Sequence, residues 1–321
     1  MRRKSLLIVV ALLTLGQIAV AQSGKQITAI QHDFNGSANS ELGTGSESAT
    51  FTYDAQGRPV SGHLKVSSAN GGNEEVNATY TYDDAAQTIN GTMTLTFSEM
   101  PPGMFITVTA DAKLENGLLK ETLLTTNVPM ANVEYDKSTY EYDAEGYVTK
   151  VSTSDMASGS GNESQEIVWA DGNVTSWTST RASGSTKVTT FTYDMSQPGP
   201  KNPYVCMIPL QFSFGLTGMM IMMPVVPYMG LMPKNLITSQ TSKDKVLTLA
   251  YEYDGDGDVS KLEVFVNGSK TDTFTFGLSS SGISELRADD KEAPYYTLDG
   301  CRVTAPGKGI YIHNGRKVLV K

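Results

Sequence analysis

The chain has 321 residues, enough for one large β-domain or two ordinary domains. Its 34 acidic residues outnumber its 25 basic residues, which disfavours binding to nucleic acid or to anionic membrane surfaces, because both need clustered positive charge. Two cysteines, Cys206 and Cys301, cannot form a disulfide framework, although one bridge between them is a possible pairing.

Residues 1–21 have the three parts of a secretory signal peptide. Arg2, Arg3 and Lys4 form a positive start, an apolar run follows, and Ala19-Val20-Ala21 is a small-x-small cleavage site. The apolar run is shorter than the roughly 20 residues that a membrane-spanning helix needs. We therefore expect export through the periplasm by the secretion machinery. The mature chain would start at Gln22 with 22 basic against 34 acidic residues, a net charge of −12.

An internal repeat organises residues 22–284. Five copies contain an aromatic residue, any residue, and then Tyr-Asp, and two weaker copies fill gaps between them. Apart from one double step, successive copies are 23–33 residues apart. The five full copies are Phe51-Thr52-Tyr53-Asp54, Tyr80-Thr81-Tyr82-Asp83, Tyr140-Glu141-Tyr142-Asp143, Phe191-Thr192-Tyr193-Asp194 and Tyr251-Glu252-Tyr253-Asp254, and the weaker ones are Leu114-Glu115-Asn116-Gly117 and Val168-Trp169-Ala170-Asp171-Gly172.

Each copy predicts a β-hairpin. Residues i and i+2 of a strand share a face, and the Asp opens a turn by accepting hydrogen bonds from its own backbone. Gly57, Gly146 and Gly257 follow three residues later and can take the left-handed conformation of such a turn. Apolar and polar residues then alternate, as in antiparallel strands with one covered face. Seven units predict about 14 strands, and a sheet that large must curl or close.

Residues 198–234 interrupt the pattern. No charged residue occurs between Lys201 and Lys234, and this interval contains seven of the 14 Met and five Pro. Pro224, Pro227 and Gly218 argue against a membrane-spanning helix. We expect an apolar connection that plugs or covers the curved sheet. The alternative is an exposed, adaptable surface for an apolar ligand or partner.

Residues 285–321 differ again and predict a small C-terminal β-module. A charged linker precedes the strand at Tyr295-Tyr296, and Asn314-Gly315 is a strong two-residue hairpin signal between two short strands.

The hairpins and their surroundings resemble a Bacteroidetes secreted family of unknown function, over roughly residues 45–280. The family is described as having a porin-like fold, so the resemblance implies a large curved antiparallel meander sheet, an open or partial barrel, and no catalytic residues. The residues that sharpen the resemblance are Lys201-Asn202-Pro203-Tyr204, Tyr228-Met229-Gly230 and Pro233-Lys234-Asn235-Leu236.

The C-terminal module is similar to the sorting tails of type IX secretion cargo. The similarity implies delivery across the outer membrane, so that the protein would be secreted or attached to the cell surface. The matching residues are Leu298-Asp299-Gly300, Val303, Pro306-Gly307-Lys308-Gly309-Ile310-Tyr311-Ile312 and Gly315-Arg316-Lys317-Val318.

The sequence contains no recognisable catalytic, cofactor or metal site. His32, His63 and His313 are far apart and are each expected to decorate a strand or loop rather than form a zinc site or a catalytic triad. Asp254-Gly255-Asp256-Gly257-Asp258 has the alternating carboxylates of a calcium loop. However, Val259 and Phe265 stand where that loop needs Gly and Glu, which favours an ordinary hairpin turn.

These observations predict an all-β, non-enzymatic, exported protein that uses no cofactor. Its concave sheet face would bind a glycan or an apolar ligand, and membrane insertion is not expected. Two alternatives stay open, an outer-membrane porin-like barrel and a glycan hydrolase that uses two of the 34 acidic residues. The paired aromatics favour packing between neighbouring hairpins, although they could also stack sugar rings or form a membrane girdle.

Overall fold

The computed structural model describes residues 25–35, 43–70, 72–131, 133–155, 162–210, 215–243, 245–279, 284–285, 295–296, 302–303, 308–313 and 316–320. The proposed signal peptide lies outside these residues, as does Cys301. In the described part of the chain, no helix is long and apolar enough to cross a membrane.

Sixteen antiparallel strands form a closed barrel in which each strand pairs with its neighbours in the sequence and β16 pairs with β1. The strands are β1 (Ile27–Asn35), β2 (Thr44–Tyr53), β3 (Pro59–Ser68), β4 (Gly72–Asp83), β5 (Thr88–Phe97), β6 (Ile106–Glu115), β7 (Leu118–Asn127), β8 (Glu134–Tyr142), β9 (Val148–Asp155), β10 (Asn162–Ala170), β11 (Asn173–Thr180), β12 (Thr186–Pro198), β13 (Asn235–Ser242), β14 (Lys245–Tyr253), β15 (Val259–Val266) and β16 (Ser269–Leu278).

The all-β prediction is confirmed, and the predicted curved sheet closes completely instead of remaining open. The seven repeat units correspond to β2–β15, which are the 14 strands that the spacing predicts. Two further strands, β1 and β16, lie outside the units and join the edges, for example where Ile30 lies opposite Phe276. Closure leaves no unpaired edge strand in this sheet.

Period-two alternation separates the two faces of the barrel wall. In β5, Ile89, Met93 and Leu95 are buried, whereas Thr92 and Thr96 are exposed. Buried residues of this kind from almost every strand join one continuous core, so the apolar side must be the inside. The outer face is therefore polar along most strands, and the inner face is apolar.

In four of the five full copies the Asp opens a hairpin turn as predicted, whereas Asp194 lies inside β12, which leads into residues 199–210. Asp143 Oδ1 accepts hydrogen bonds from the backbone N–H groups of Glu145, Gly146 and Tyr147, at 2.9–3.1 Å. Gly146 has φ +96°, and Gly57 and Gly257 are near +80°, the left-handed conformation that glycine adopts without steric cost. These turns all lie at one end of the barrel, which we call the motif end. The opposite end is the far end.

The second aromatic of the motif, or in the last copy the first aromatic Tyr251, ties its strand to the one before it. Tyr142 Oη donates a hydrogen bond to the carbonyl oxygen of Leu119, at 2.8 Å. Trp169, in a weaker copy, does the same with its indole N–H toward Val148. The repeat therefore encodes a hydrogen-bonded collar at the motif end. The other bonds of the collar are Tyr53 to Ile27, Tyr82 to Pro59, Tyr193 to Val174 and Tyr251 to Ile237.

Residues 199–210 and 215–234 form a plug that fills the barrel at the motif end. The plug contains α1 (Pro203–Leu210), α2 (Gly215–Met222) and a 3₁₀ helix (Val226–Tyr228). Tyr204, Met220 and Met223 have no exposed surface, and the inward-facing Tyr80 hydroxyl donates to the carbonyl oxygen of Met220, at 2.7 Å. The seven Met of this stretch suit it to an irregular interior because their side chains are flexible.

Two asparagines fix the points where the chain enters and leaves the plug. Asn202 Oδ1 accepts the backbone N–H of Tyr204, which caps α1, and Pro203 supplies the first residue of that helix. Asn235 N–H donates to Asn173 Oδ1, and Asn235 Nδ2 donates to the carbonyl oxygens of Met195 and Gln197. The Asn-Pro and Lys-Asn-Leu segments noted in the sequence thus anchor the two ends of the plug.

The C-terminal residues form a separate small sheet. Its strands are β17 (Ser284–Glu285), β18 (Tyr295–Tyr296), β19 (Arg302–Val303), β20 (Gly309–His313) and β21 (Arg316–Val320), in the order β17-β21-β20-β18-β19. β20 and β21 form the hairpin that Asn314-Gly315 predicts.

Candidate functional site

One arc of the inner wall carries half-buried polar side chains on adjacent strands. On β8–β12, each of five polar residues lies two positions from a buried apolar residue and so points inward, on the far-end side. All five are half-buried. This polar arc crosses five adjacent strands, a span of about 19 Å at a strand spacing of about 4.8 Å. Its residues are Ser138, Thr153, Gln165, Ser179 and Thr189.

On the opposite side of the barrel, the plug covers the inner wall at a similar height along the barrel axis. There α2 packs against β3, and inward residues such as Leu64 and Val264 have no exposed surface. Because the plug leans on this wall, the inward side chains of the polar arc keep contact with solvent.

A buried charged cluster lies on the closed wall where the barrel joins. His32 on β1 lies between Glu47 on β2 and Asp272 on β16, and all three are at most 6% exposed. His32 Nδ1 is 2.7 Å from Glu47 Oε2, and His32 Nε2 is 3.0 Å from Asp272 Oδ1. The imidazole also stacks on the Phe274 ring, with centroids 4.0 Å apart. The cluster therefore links the first two strands to the last.

The cluster favours a protonated histidine. Burial by itself would lower the pKa of His32, but the hydrogen bonds to Asp272 and Glu47 outweigh it and raise the pKa above the usual 6.5. Only the imidazolium can donate to both carboxylates, because the neutral ring carries a single N–H. Glu47 Oε2 also accepts the backbone N–H of Leu216 at the start of α2, at 3.2 Å, which connects the cluster to the plug.

Sequence analysis missed this cluster. His32 does decorate a strand, as expected, but its partners are 15 and 240 residues away, so no local motif could indicate them. The one signal is a charged or titratable residue at an inward position of three strands that otherwise alternate. His63 points outward and lies 2.7 Å from Glu75 of the next strand, and His313 lies in β20.

The acidic side chains of the turn at Asp254 form ion pairs with two lysines. Lys25 Nζ lies 2.7 Å from Asp254 Oδ2 and also pairs with Asp256, and Lys201 Nζ is 3.9 Å from Asp258 Oδ1. The Lys25 ammonium lowers the pKa of Asp254 to about 2. Asp254 Oδ1 accepts the backbone N–H groups of Asp256 and Asp258, as in the other motif turns. The hairpin interpretation therefore describes this segment.

Chemistry that needs an activated side chain has few candidates among the described residues. No group of three or more His, Cys, Asp and Glu residues in that part of the chain is placed to hold a metal ion. Cys206 is buried in α1, where its thiol donates to the carbonyl oxygen of Pro200, and the possible pairing with Cys301 involves a residue outside the described part of the chain. Burial raises the pKa of the Cys206 thiol to about 12, which makes it a poor nucleophile.

A second concave surface lies on the outside of the barrel. A groove of about 490 Å³ crosses β1–β5 near the far end. Its lining is mostly uncharged and polar, with one lysine and two glutamates. The lining residues are Gln31, Ser46, Ser48, Lys65, Val66, Ser67, Asn73, Glu74, Glu75, Thr96, Phe97 and Ser98.

No family model matches the chain. No curated protein matches it either. Two crystal structures do resemble it. A porin-like protein from Bacteroides uniformis ATCC 8492 is 15% identical, with a TM-score of 0.53 over 80% of this chain and 99% of that one. A porin-like protein from Bacteroides vulgatus ATCC 8482 is 11% identical, with a TM-score of 0.51 over 79% of this chain and 99% of that one. At these identities the comparisons establish the fold, and the chain has a porin-like barrel.

Proposed function

We infer that this protein is an exported, non-enzymatic barrel that works in water instead of spanning a membrane, and that its polar arc binds a neutral glycan. The observation that carries the inference is the polarity of the wall, which is polar outside and apolar inside. A membrane barrel has the opposite arrangement, with a lipid-facing apolar band about 25 Å tall and a polar lumen.

The outward positions argue strongly against lipid contact. On β4 these positions are occupied by Asn73, Glu75, Asn77, Thr79 and Thr81, all exposed. Outward charged residues also occur on other strands, where they pair across neighbouring strands, as in Lys150 with Glu141 and Lys261 with Glu252. A basic residue on the lipid face costs about 2–4 kcal/mol at the bilayer midplane, so a wall like this would be expelled from the hydrocarbon.

The plug argues against a conducting pore. It occupies the lumen at the motif end with buried apolar side chains. It is held at both ends, because Asn202 Nδ2 donates to the carbonyl oxygen of Lys25 and Asn235 N–H donates to Asn173 Oδ1. The lumen that remains is a cup that opens toward the far end, with the polar arc along one side.

The composition of the polar arc favours a neutral, hydroxyl-rich ligand. Its hydroxyl and amide groups can both donate and accept hydrogen bonds, and none carries a charge. Sugar chains present the same mixture of donors and acceptors. The arc is long enough, at about 19 Å, to contact several sugar units in a row.

The first experiment tests the environment of the barrel. The mature chain, from residue 22, is expressed, purified without detergent and examined by size-exclusion chromatography and circular dichroism. We expect a folded β-protein that gives no conductance in a planar bilayer. Folding only in micelles, or stepwise conductance that disappears on heat denaturation, would favour the outer-membrane barrel. That second candidate draws support from the closed barrel of 16 strands and from the porin-like relatives.

The second experiment tests the ligand. Maltohexaose, xylohexaose, laminarihexaose and the acidic hexagalacturonate are titrated calorimetrically into the mature chain. We expect binding of at least one neutral glycan, and loss of that binding in the Gln165→Ala/Ser179→Ala variant. The matched control is Ser48→Ala/Asn73→Ala in the outer groove, which should bind as the parent does.

Three results would contradict the ligand proposal. They are no heat with any neutral glycan, binding of hexagalacturonate alone, and loss of binding in the outer-groove control instead of the arc variant. Release of shorter sugars during the incubation would instead favour the hydrolase alternative, provided that replacing a single carboxylate abolishes it.

Export and surface delivery are tested separately. The N-terminus of the protein recovered from the cell envelope should begin at Gln22, because the small-x-small site ends at Ala21. An intact Met1 would contradict cleavage. Removing residues 285–321 should trap the barrel in the periplasm if the C-terminal module is a sorting tail, and unchanged surface delivery would show that it is not.

A further inference from the structure

We propose that the His32–Glu47–Asp272 cluster is a proton-controlled latch, which holds α2 of the plug against the barrel seam and releases it when His32 loses its proton. The proposal is independent of any ligand. It rests on the position of the cluster, which joins β16, β1 and β2 through the contacts of His32 with Glu47, Asp272 and Phe274, and reaches the plug through Glu47 and Leu216.

The geometry requires a proton on each ring nitrogen of His32. With both ring nitrogens protonated, His32 donates to Glu47 and to Asp272 at 2.7 and 3.0 Å. Removal of one proton leaves a nitrogen lone pair facing a carboxylate oxygen, an arrangement in which neither atom can donate. A buried carboxylate without its donor is costly. The second oxygen of Asp272 already has no partner in this structure.

No other charge in the described surroundings can replace the imidazolium. On β2 and β16 the facing groups are Glu47 and Asp272 themselves, and on β1 the neighbouring Asp33 is exposed on the outer face. From α2 the contact is the backbone N–H of Leu216. Lys270, two residues from Asp272, places its ammonium on Glu263 instead. The neutral imidazole would therefore keep a donor for one carboxylate and leave the other facing a lone pair, with no nearby cation to replace the lost charge.

The direction of the pH effect follows from the raised pKa of His32. A group whose folded pKa lies above its unfolded value contributes stability below the unfolded pKa, near 6.5, and loses it as the pH rises through the folded pKa. The latch is therefore closed in mildly acidic solution and opens in alkaline solution. Glu47 also holds α2, so we expect the plug to loosen first.

Cys206 provides a natural reporter because it lies in α1 of the plug and is 2% exposed. In a mature chain carrying Cys301→Ser, we measure the rate of Cys206 modification by N-ethylmaleimide from about pH 6 to about pH 9. Each rate is divided by the glutathione rate at the same pH, which removes the intrinsic reactivity of a thiolate. We expect the normalised rate to rise about tenfold or more across this range, which corresponds to about 1.4 kcal/mol of coupling between the cluster and the plug.

Matched variants test whether His32 causes the rise in the normalised modification rate of Cys206. His32→Gln should label rapidly at every pH, because a neutral amide can donate to only one of the carboxylates. His63→Gln changes an outward histidine that also faces a carboxylate and should keep the wild-type rise. If His32→Gln does not fold, Glu47→Gln/Asp272→Asn serves instead and should give a flat profile, because its histidine has no anionic partner.

A flat normalised rate in the parent chain would overturn the latch. So would the same rise in His32→Gln, or in Glu47→Gln/Asp272→Asn, because the titrating group would then lie elsewhere. Loss of the rise in His63→Gln would assign the effect to the outer surface and would overturn the proposal equally.

Discussion

The two ends of the barrel are built from the same strands but are organised differently. At the motif end, Asp turns, tyrosine hydroxyls and the plug satisfy the backbone and fill the lumen. Toward the far end, inward positions of β8–β12 carry half-buried polar side chains. The difference shows how one strand can serve packing at one end and solvent contact at the other, because each inward position is free to be apolar or polar independently.

The sharpest test of this comparison uses two leucines of β7. Leu119, at the motif end, has no exposed surface, whereas the inward-facing Leu124 is half-buried. Leu119→Ala should lower the free energy of unfolding by about 2–5 kcal/mol, the usual cost of a core cavity. Leu124→Ala should cost less than half as much. Urea unfolding followed by fluorescence measures both, and equal losses would mean that the far end is packed as tightly.

Two glycines probe the plug contact. Gly230 has φ +88°, and a Cβ placed on it would overlap the carbonyl oxygen of Gly146, whereas Gly184, in a far-end turn, has φ +79° and open space around it. Gly184→Ala should cost about 1–2 kcal/mol for the left-handed conformation alone. Gly230→Ala adds the steric overlap and should cost about 2–4 kcal/mol. A smaller loss at Gly230 in thermal unfolding would show that the plug shifts freely.

Two tyrosines of β8 test the collar. Tyr142→Phe removes the hydrogen bond to the Leu119 carbonyl and should cost about 1 kcal/mol. The control is Tyr135→Phe, because Tyr135 is an outward residue of the same strand and 40% exposed. Tyr135→Phe should change the free energy of unfolding by no more than about 0.5 kcal/mol. If both variants unfold at the parent's denaturant midpoint, the hydroxyl collar adds no stability.

The smallest effect is expected at the acidic turn. Lys25→Met removes the ammonium that pairs with Asp254 and Asp256 and should lower the free energy of unfolding slightly. This decrease should become smaller in high salt, because exposed ion pairs are screened. The control Lys187→Met, near the far end, should leave the free energy of unfolding unchanged. Since the pKa of Asp254 is lowered to about 2, its contribution exists above pH 3.8 and disappears as the pH falls toward 2. A loss that is independent of salt would contradict this account.

Sequence analysis located most of the wall because its determinants are local. Alternation assigns the faces of a strand such as β5, and an Asp followed by Gly, as in Asp143 and Gly146, forms a turn from its own backbone groups. The 14 predicted strands therefore match β2–β15. The expected glycan or apolar ligand remains a proposal, because no local pattern marks the polar arc.

The sequence by itself determined the hairpins, their turns and the apolar character of residues 198–234, because these depend on neighbours within a few positions. Only the tertiary structure decided that the sheet closes, that the plug lies inside it, and that His32 meets Glu47 and Asp272. The physical reason is distance along the chain. Closure pairs β1 with β16, and the latch joins residues 240 positions apart, so both depend on how the whole barrel curves and not on any single segment.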